Sequence, residues 1–140
     1  MITEDYVSYN IAKLLKEKGF NEKCIAVYHD KKLQLVSSLG IFSGNGHDEQ
    51  IVTYTNSECE WSPIMIAAPT LQMAMKWLRE VYDLHIIAYP WRANKKERIH
   101  WCCHVYKSFN LFGRKYTNET LKSYEEACEK AIRYCLEKLI

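Results

Sequence analysis

Apolar residues return at helical spacing in three stretches of the chain, with strand-like stretches between them. In the first, Val7, Ile11, Leu14 and Leu15 form one stripe. Thr3 can cap that helix, and Glu4 and Asp5 suit the positive end of its dipole. The pattern predicts a helix over about residues 4–18, closed by Gly19 in the left-handed C′ position with Phe20 after it. In the second, "TLQMAMKWLREVYD", Thr70 is a good N-cap. Leu71, Ala74, Met75, Leu78, Val81 and Tyr82 make a wide stripe there, with Met73 and Trp77 as a second apolar edge. A wide stripe predicts a central core helix; a Met-rich binding groove is the sharper alternative. The third is opened by a Ser123/Glu126 capping box. Tyr124, Ala127, Cys128, Ala131, Ile132, Cys135, Leu136 and Leu139 then repeat at helical spacing to the last residues.

Between the helices the pattern changes to that of strands. Cys24–His29 and Leu33–Ser37 read as a hairpin turning at Asp30-Lys31-Lys32. Residues 51–56 alternate enough for a third strand, and the stretch from Ser57 to Ala68 reads as an irregular lead into the second helix. "LHIIAYPW" and "RIHWCCHVYK" predict a second hairpin around the polar loop "RANKKE", and "FNLFGRKYTNET" holds room for a short further strand. The order is α-ββ(β)-α-ββ(β)-α. Short strand connections imply antiparallel pairing, so the expected fold is an α+β domain with an antiparallel sheet packed against three helices.

At 140 residues the chain fits one domain, and 48% hydrophobic with 26% charged residues is an ordinary globular balance. A formal net charge of +2 is too small to predict nucleic-acid or membrane binding by electrostatics alone. "MITEDYVSYN" lacks the pattern of a secretory signal, and no apolar run approaches a membrane span. The expected setting is the cytoplasm, with Cys24, Cys59, Cys102, Cys103, Cys128 and Cys135 as reduced thiols. No two of them form C-x-x-C, which argues against a redox pair or zinc ribbon.

"IHWCCHVY", residues 99–106, concentrates the candidate chemistry. On a strand, Ile99, Trp101, Cys103 and Val105 share one side, and His100, Cys102, His104 and Tyr106 the other. The vicinal cysteines therefore face apart, against a disulfide between them. A hairpin centred on "RANKKE" sets Tyr89 near His100, Ile87 near Cys102 and His85 near His104. Ile86, Ala88, Ile99, Trp101 and Cys103 make the better core face. The other face, with His85, Tyr89, His100, Cys102, His104 and Tyr106, suits a half-exposed surface.

Each chemistry can be weighed on that face. His100 and His104 stand roughly 13 Å apart on an extended strand, too far to share a metal. A zinc site would need His85, Cys102 and His104 together with a fourth ligand, so solvated or hydrogen-bonded imidazoles are the plainer expectation. Nucleic acid is the rival partner. Tyr89 and Tyr106 could stack bases, with Lys95, Lys96, Arg98, Lys107, Arg114 and Lys115 nearby for phosphates. The early α-β-β-β-α order is similar, in topology alone, to double-stranded-RNA-binding domains, but that family's basic helix start is absent from "APTLQMAMKW". The loop with Gly40, Gly44 and Gly46 lacks the Gly-Lys-Ser/Thr of a phosphate loop. Neither His47-Asp48-Glu49 nor Glu125, Glu126 and Glu129 makes an acid–base pair by spacing, and no nucleophile elbow is present.

"MITEDYVSYNIAKLLKEKGF", "APTLQMAMKWLREVYDLHI" and "YEEACEKAIRYCLEKLI" resemble an uncharacterised family of small proteins from gut anaerobes, their mobile elements and phages. These stretches hold the three helices; the Gly-rich loop and the "WCCH" strand lie outside them. The resemblance implies an accessory role in a mobile element or phage, and no activity. The expectation is a non-catalytic interaction module without a cofactor. It would act on another protein or on itself as a homodimer, through His85, Tyr89, His100 and Tyr106. A nucleic-acid-binding accessory protein is the alternative.

Overall fold

The computed structural model describes residues 2–36, 53–58, 60, 62–107 and 110–140, and for residues 110–120 the backbone only. It is an α+β protein, in the order the sequence predicts, with its strands divided between two three-stranded antiparallel sheets. The chain forms two compact units, residues 6–70 and residues 1–5 with 71–140. The expected glycine loop and the His47-Asp48-Glu49 cluster lie outside the described residues.

In the unit of residues 6–70, helix α1 spans Tyr9–Glu17. It starts later than expected. Ser8, not Thr3, is the N-cap, its hydroxyl accepting from Ile11 N–H at 3.5 Å. The residues before it are extended: Val7 N–H donates to the Pro69 carbonyl at 3.1 Å, and Tyr6 bridges to Thr70. Strand-like pairing thus takes the segment that the acidic residues made look helical. The C-terminus follows expectation. Gly19 has φ +90°, its N–H bonds to Lys16 O at 3.1 Å, and Phe20 N–H bonds to Leu15 O at 2.9 Å. Those two bonds are the Schellman pair, and Leu15 and Phe20 are both buried.

Strands β1 (Ala26–His29), β2 (Lys32–Leu35) and β3 (Met65–Ala67) form the first sheet in the order β2-β1-β3. His29 pairs with Lys32 across a two-residue turn in which Asp30 (φ 49°) and Lys31 (φ 64°) are both left-handed. That is a type I′ hairpin turn built without glycine. Of the expected third strand at 51–56, the described residues 53–56 form no strand of the sheet. Tyr54 makes an isolated bridge to Cys24, and Met65–Ala67 pairs with β1 instead. Asn56, only 5% exposed, holds this region together. Its Nδ2 donates to Phe20 O at 2.7 Å and its Oδ1 accepts from Ala67 N–H at 3.0 Å, so this buried amide binds at both ends. β1 is covered on both sides. Val27 clusters with Val36, Met65 and Tyr54, while Tyr28 donates to Val7 O at 2.7 Å and meets Tyr9 edge to face.

In the other unit, α2 (Leu71–Tyr82) and α3 (Tyr124–Tyr134) pack on strands β4 (Leu84–Trp91), β5 (His100–Lys107) and β6 (Asn110–Leu121). The sheet order is β4-β5-β6. α2 buries Leu71, Ala74, Met75, Trp77 and Leu78, as the wide stripe predicts, but Val81 lies 56% exposed. A single left-handed residue, Asp83 (φ 59°), joins α2 to β4. In α3, Ser123 Oγ accepts from Glu126 N–H at 3.1 Å, while Glu126 reaches back to Lys122 N–H at 2.8 Å, one residue before the usual capping-box partner. The helix does not run on unchanged to its end: Cys135–Leu139 widens into a π-helical turn. β6 is twelve residues long where a short strand was expected.

Candidate functional site

The β4–β5 hairpin carries His85, Tyr89, His100, Cys102, His104 and Tyr106, and the strand parity that assigns them to one face holds. Cys103 and Val105 are buried with Leu84 on the side of α3, and Trp101 meets Tyr124 edge to face at 5.4 Å. His100, Cys102, His104 and Tyr106 are all half-buried. The register differs from expectation by two residues. His85 pairs with Tyr106, Ile87 with His104, Tyr89 with Cys102 and Trp91 with His100. A two-residue shift keeps every side chain on its face, because side chains alternate with period two. It lengthens the loop, so that Ile99, expected in the core, lies 51% exposed outside the strand.

The outer face of this hairpin is therefore four cross-strand pairs: His85/Tyr106, Ile87/His104, Tyr89/Cys102 and Trp91/His100. His104 lies at its centre. Its Nε2 is 3.0 Å from the Tyr89 hydroxyl and its Nδ1 2.8 Å from the Tyr106 hydroxyl. In a neutral imidazole one nitrogen accepts and the other donates, so one phenol gives a proton to the ring and the other receives one. Both phenol rings meet the imidazole edge to face, with centroids 5.1 and 5.8 Å away. Desolvation, and then the neighbouring Cys102 thiol and Tyr106 phenol, push the Tyr89 phenol above its ordinary value. At the start of β4, His85 Nε2–H donates to the Asp83 carboxylate at 3.1 Å. Ile87 and Trp91 stand about half exposed, at 51% and 50%.

Two of the four residues proposed for the contact surface, Tyr89 and Tyr106, thus meet at His104; His85 pairs across from Tyr106, and His100 lies toward the loop. The metal candidates do not converge. His85 is bonded to Asp83, and both ring nitrogens of His104 are engaged by phenols. Among the described residues no group of three or more His, Cys, Asp or Glu side chains is placed to hold a metal ion. The thiols on the helix side are closed groups. Burial pushes Cys128 up, and burial together with nearby Cys103 pushes Cys135 up to about 12. Sequence reasoning did not find a cavity of about 260 Å³ lined by Glu4, Asp5, Leu71, Gln72, Tyr124 and Glu125, where Gln72 donates to the Tyr124 hydroxyl at 2.9 Å.

The loop between the strands also has a defined shape. Asn94 Oδ1 accepts from the backbone N–H groups of Lys96 (2.9 Å) and Glu97 (3.1 Å), and its Nδ2 donates to Glu97 Oε1 at 2.7 Å. This Asx turn ties the one acid of the loop to an amide. Arg92, Lys95, Lys96 and Arg98 are exposed, and their side chains have no ion-pair partner among the described residues. Arg114 and Lys115, named with them from the sequence, have side chains outside the described set.

No helix among the described residues is long and apolar enough to cross a membrane. Comparison with protein-family models, with curated proteins and with solved structures finds no match.

Proposed function

We propose that the chain is an interaction module that works by protein contact, with the outer face of β4–β5 as its contact surface and a second copy of itself as the partner. One observation carries this reading: the eight outward positions, residues 85, 87, 89 and 91 with 100, 102, 104 and 106, include no Lys, Arg, Asp or Glu. Depletion of charge and enrichment in Tyr and Trp is the composition of an interface centre; on these two strands and their flanks the charges lie at the margin, on Asp83, Arg92, Arg98 and Lys107, while Lys115 of β6 pairs with His104 in register. In a two-fold contact each patch meets its own copy, so these eight positions bring no like charges together. The Tyr89–His104–Tyr106 bonds add to this, since covering polar groups that already satisfy one another costs less than covering unpaired ones.

In this reading the protein is cytoplasmic, a setting in which the half-exposed Cys102 stays a thiol. It serves as an accessory protein of a mobile element or phage, as the resemblance of its helical segments suggests. Sedimentation over a hundredfold dilution series tests the contact. The expected result is a monomer–dimer equilibrium that Ile87→Glu abolishes while leaving the circular dichroism spectrum unchanged. A wild-type chain that stays monomeric throughout, or a dimer indifferent to Ile87→Glu, overturns the reading.

A further inference from the structure

The loop at the tip of the same hairpin carries cations that self-contact does not use, and Trp91 and His100 at its base stand at the edge of both surfaces. We infer that the 92–98 loop, with Trp91 and His100 at its base, is a docking point for single-stranded nucleic acid, the loop cations holding the backbone and Trp91 receiving a base. Four observations converge on it. Residues 92–98 carry four cations and one carboxylate. That carboxylate, on Glu97, is held by Asn94, so it is drawn toward the loop's own amides. The Asx turn fixes the backbone under Lys95 and Lys96, so little ordering is left to be done on binding. Trp91, half exposed and paired with His100, offers a π-face beside Arg92 where the β4 strand ends.

Unpaired cations next to an open aromatic ring are the two elements of a stacking-and-phosphate site, which tolerates any base because every base has a π-face. This moves the nucleic-acid residues from where the sequence suggested them. Tyr89 and Tyr106 have their hydroxyls committed to His104 and stand edge-on to it, whereas Trp91 has no ring contact among the described residues. An acidic protein tail or an anionic lipid surface would meet the same cations, but neither would need Trp91 as a stacking partner.

Fluorescence anisotropy with a labelled oligothymidylate of about ten nucleotides tests this. Four phosphate contacts predict a slope of log affinity on log salt of about −2.8, which is roughly a 50-fold loss between about 50 and 200 mM salt. Lys95→Glu with Lys96→Glu removes two contacts and lowers the slope by about half. Trp91→Ala weakens binding by about tenfold or more and leaves the slope unchanged. All three changes lie at an exposed tip, and an unaltered circular dichroism spectrum and melting curve confirm the fold. Absence of binding at low salt overturns the inference. So does an affinity that Trp91→Ala does not change, which would mean plain polyanion attraction, or equal binding to phosphatidylserine vesicles. Because Ile87 lies outside the loop, oligonucleotide binding by Ile87→Glu separates failure here from failure of the self-contact.

Discussion

Two hairpins of this protein, β1–β2 and β4–β5, are built from the same kind of element and are used in opposite ways. β1–β2 turns on two left-handed residues, and its first strand is buried on three successive side chains, Ala26, Val27 and Tyr28. β4–β5 turns through an eight-residue connection and buries one face only, with Leu84, Cys103 and Val105 inward. A strand sealed on both sides is spent on stability. A strand whose outward positions are Ile, Tyr, Trp and His rather than Lys, Glu or Thr has apolar surface left over for a contact.

The largest expected effect tests that contrast directly. Val27→Asp puts an unpaired carboxylate among Val36, Met65 and Tyr54 and should cost more than about 4 kcal/mol, enough to unfold residues 6–70 in a urea titration. Ile87→Glu, an apolar-to-acid change on a half-exposed strand position, should change the unfolding free energy of its own unit, read by the same titration, by less than about 0.5 kcal/mol. Similar losses at both positions would mean that the outer face of β4–β5 is a core surface.

The cysteines report on the two faces next. In the folded protein at pH 8, Cys102 should react with iodoacetamide while Cys103 and Cys135 stay protected until urea is added, read by peptide mass mapping. Cys135 also makes stability fall in alkali. Its thiol is held up at about 12 in the fold, against about 8.5 in an unfolded chain. The folded state therefore keeps a proton that the unfolded state gives up. The contribution is complete below about pH 8.5 and declines by about 1.4 kcal/mol per pH unit as pH rises toward 12. Cys135→Ala should be less stable at neutral pH and lose less on going from pH 9 to 11. The smallest effect concerns the first hairpin's turn. Lys31→Gly removes a side chain from a left-handed position and should raise the unfolding free energy, read by urea titration, by about 1 kcal/mol or less. A loss would mean that the Lys31 side chain makes up for its own strain.

Where the sequence was legible, a local cause was strong enough to act alone. Gly19 and Phe20 end α1 because a left-handed C′ residue suffices to stop a helix, and Ser123 starts α3 because its hydroxyl reaches Glu126 N–H. The faces of β5 followed from alternation. What was missed depended on distant partners. Met65, Ile66, Ala67 and Ala68 are all buried, so β3 has no alternation to betray it, whereas 51–56 alternates and yet contributes only the Tyr54 bridge among its described residues. Residues 6 and 7 left the predicted helix because residues 69 and 70 offered strand partners. The residues named for the candidate surface stay on one face for one reason: the register error was even. The His104–Tyr106 pair could have been read from its i, i+2 spacing on one strand. Tyr89 could be joined to it only after the Asx turn at Asn94 had set the true length of the connection.

Pro90 sets a limit on the proposed contact. It lies in β4, the last described strand on its side of the sheet, and it pairs across to Trp101. Proline fits a sheet where the N–H it lacks would have pointed away from the neighbouring strand. A second β4 sliding alongside would meet a missing donor at that point, so growth by adding ribbon to ribbon is interrupted near the tip. Under the proposed self-contact, copies would meet across their flat sides rather than zip edge to edge, which favours a closed pair over a fibre.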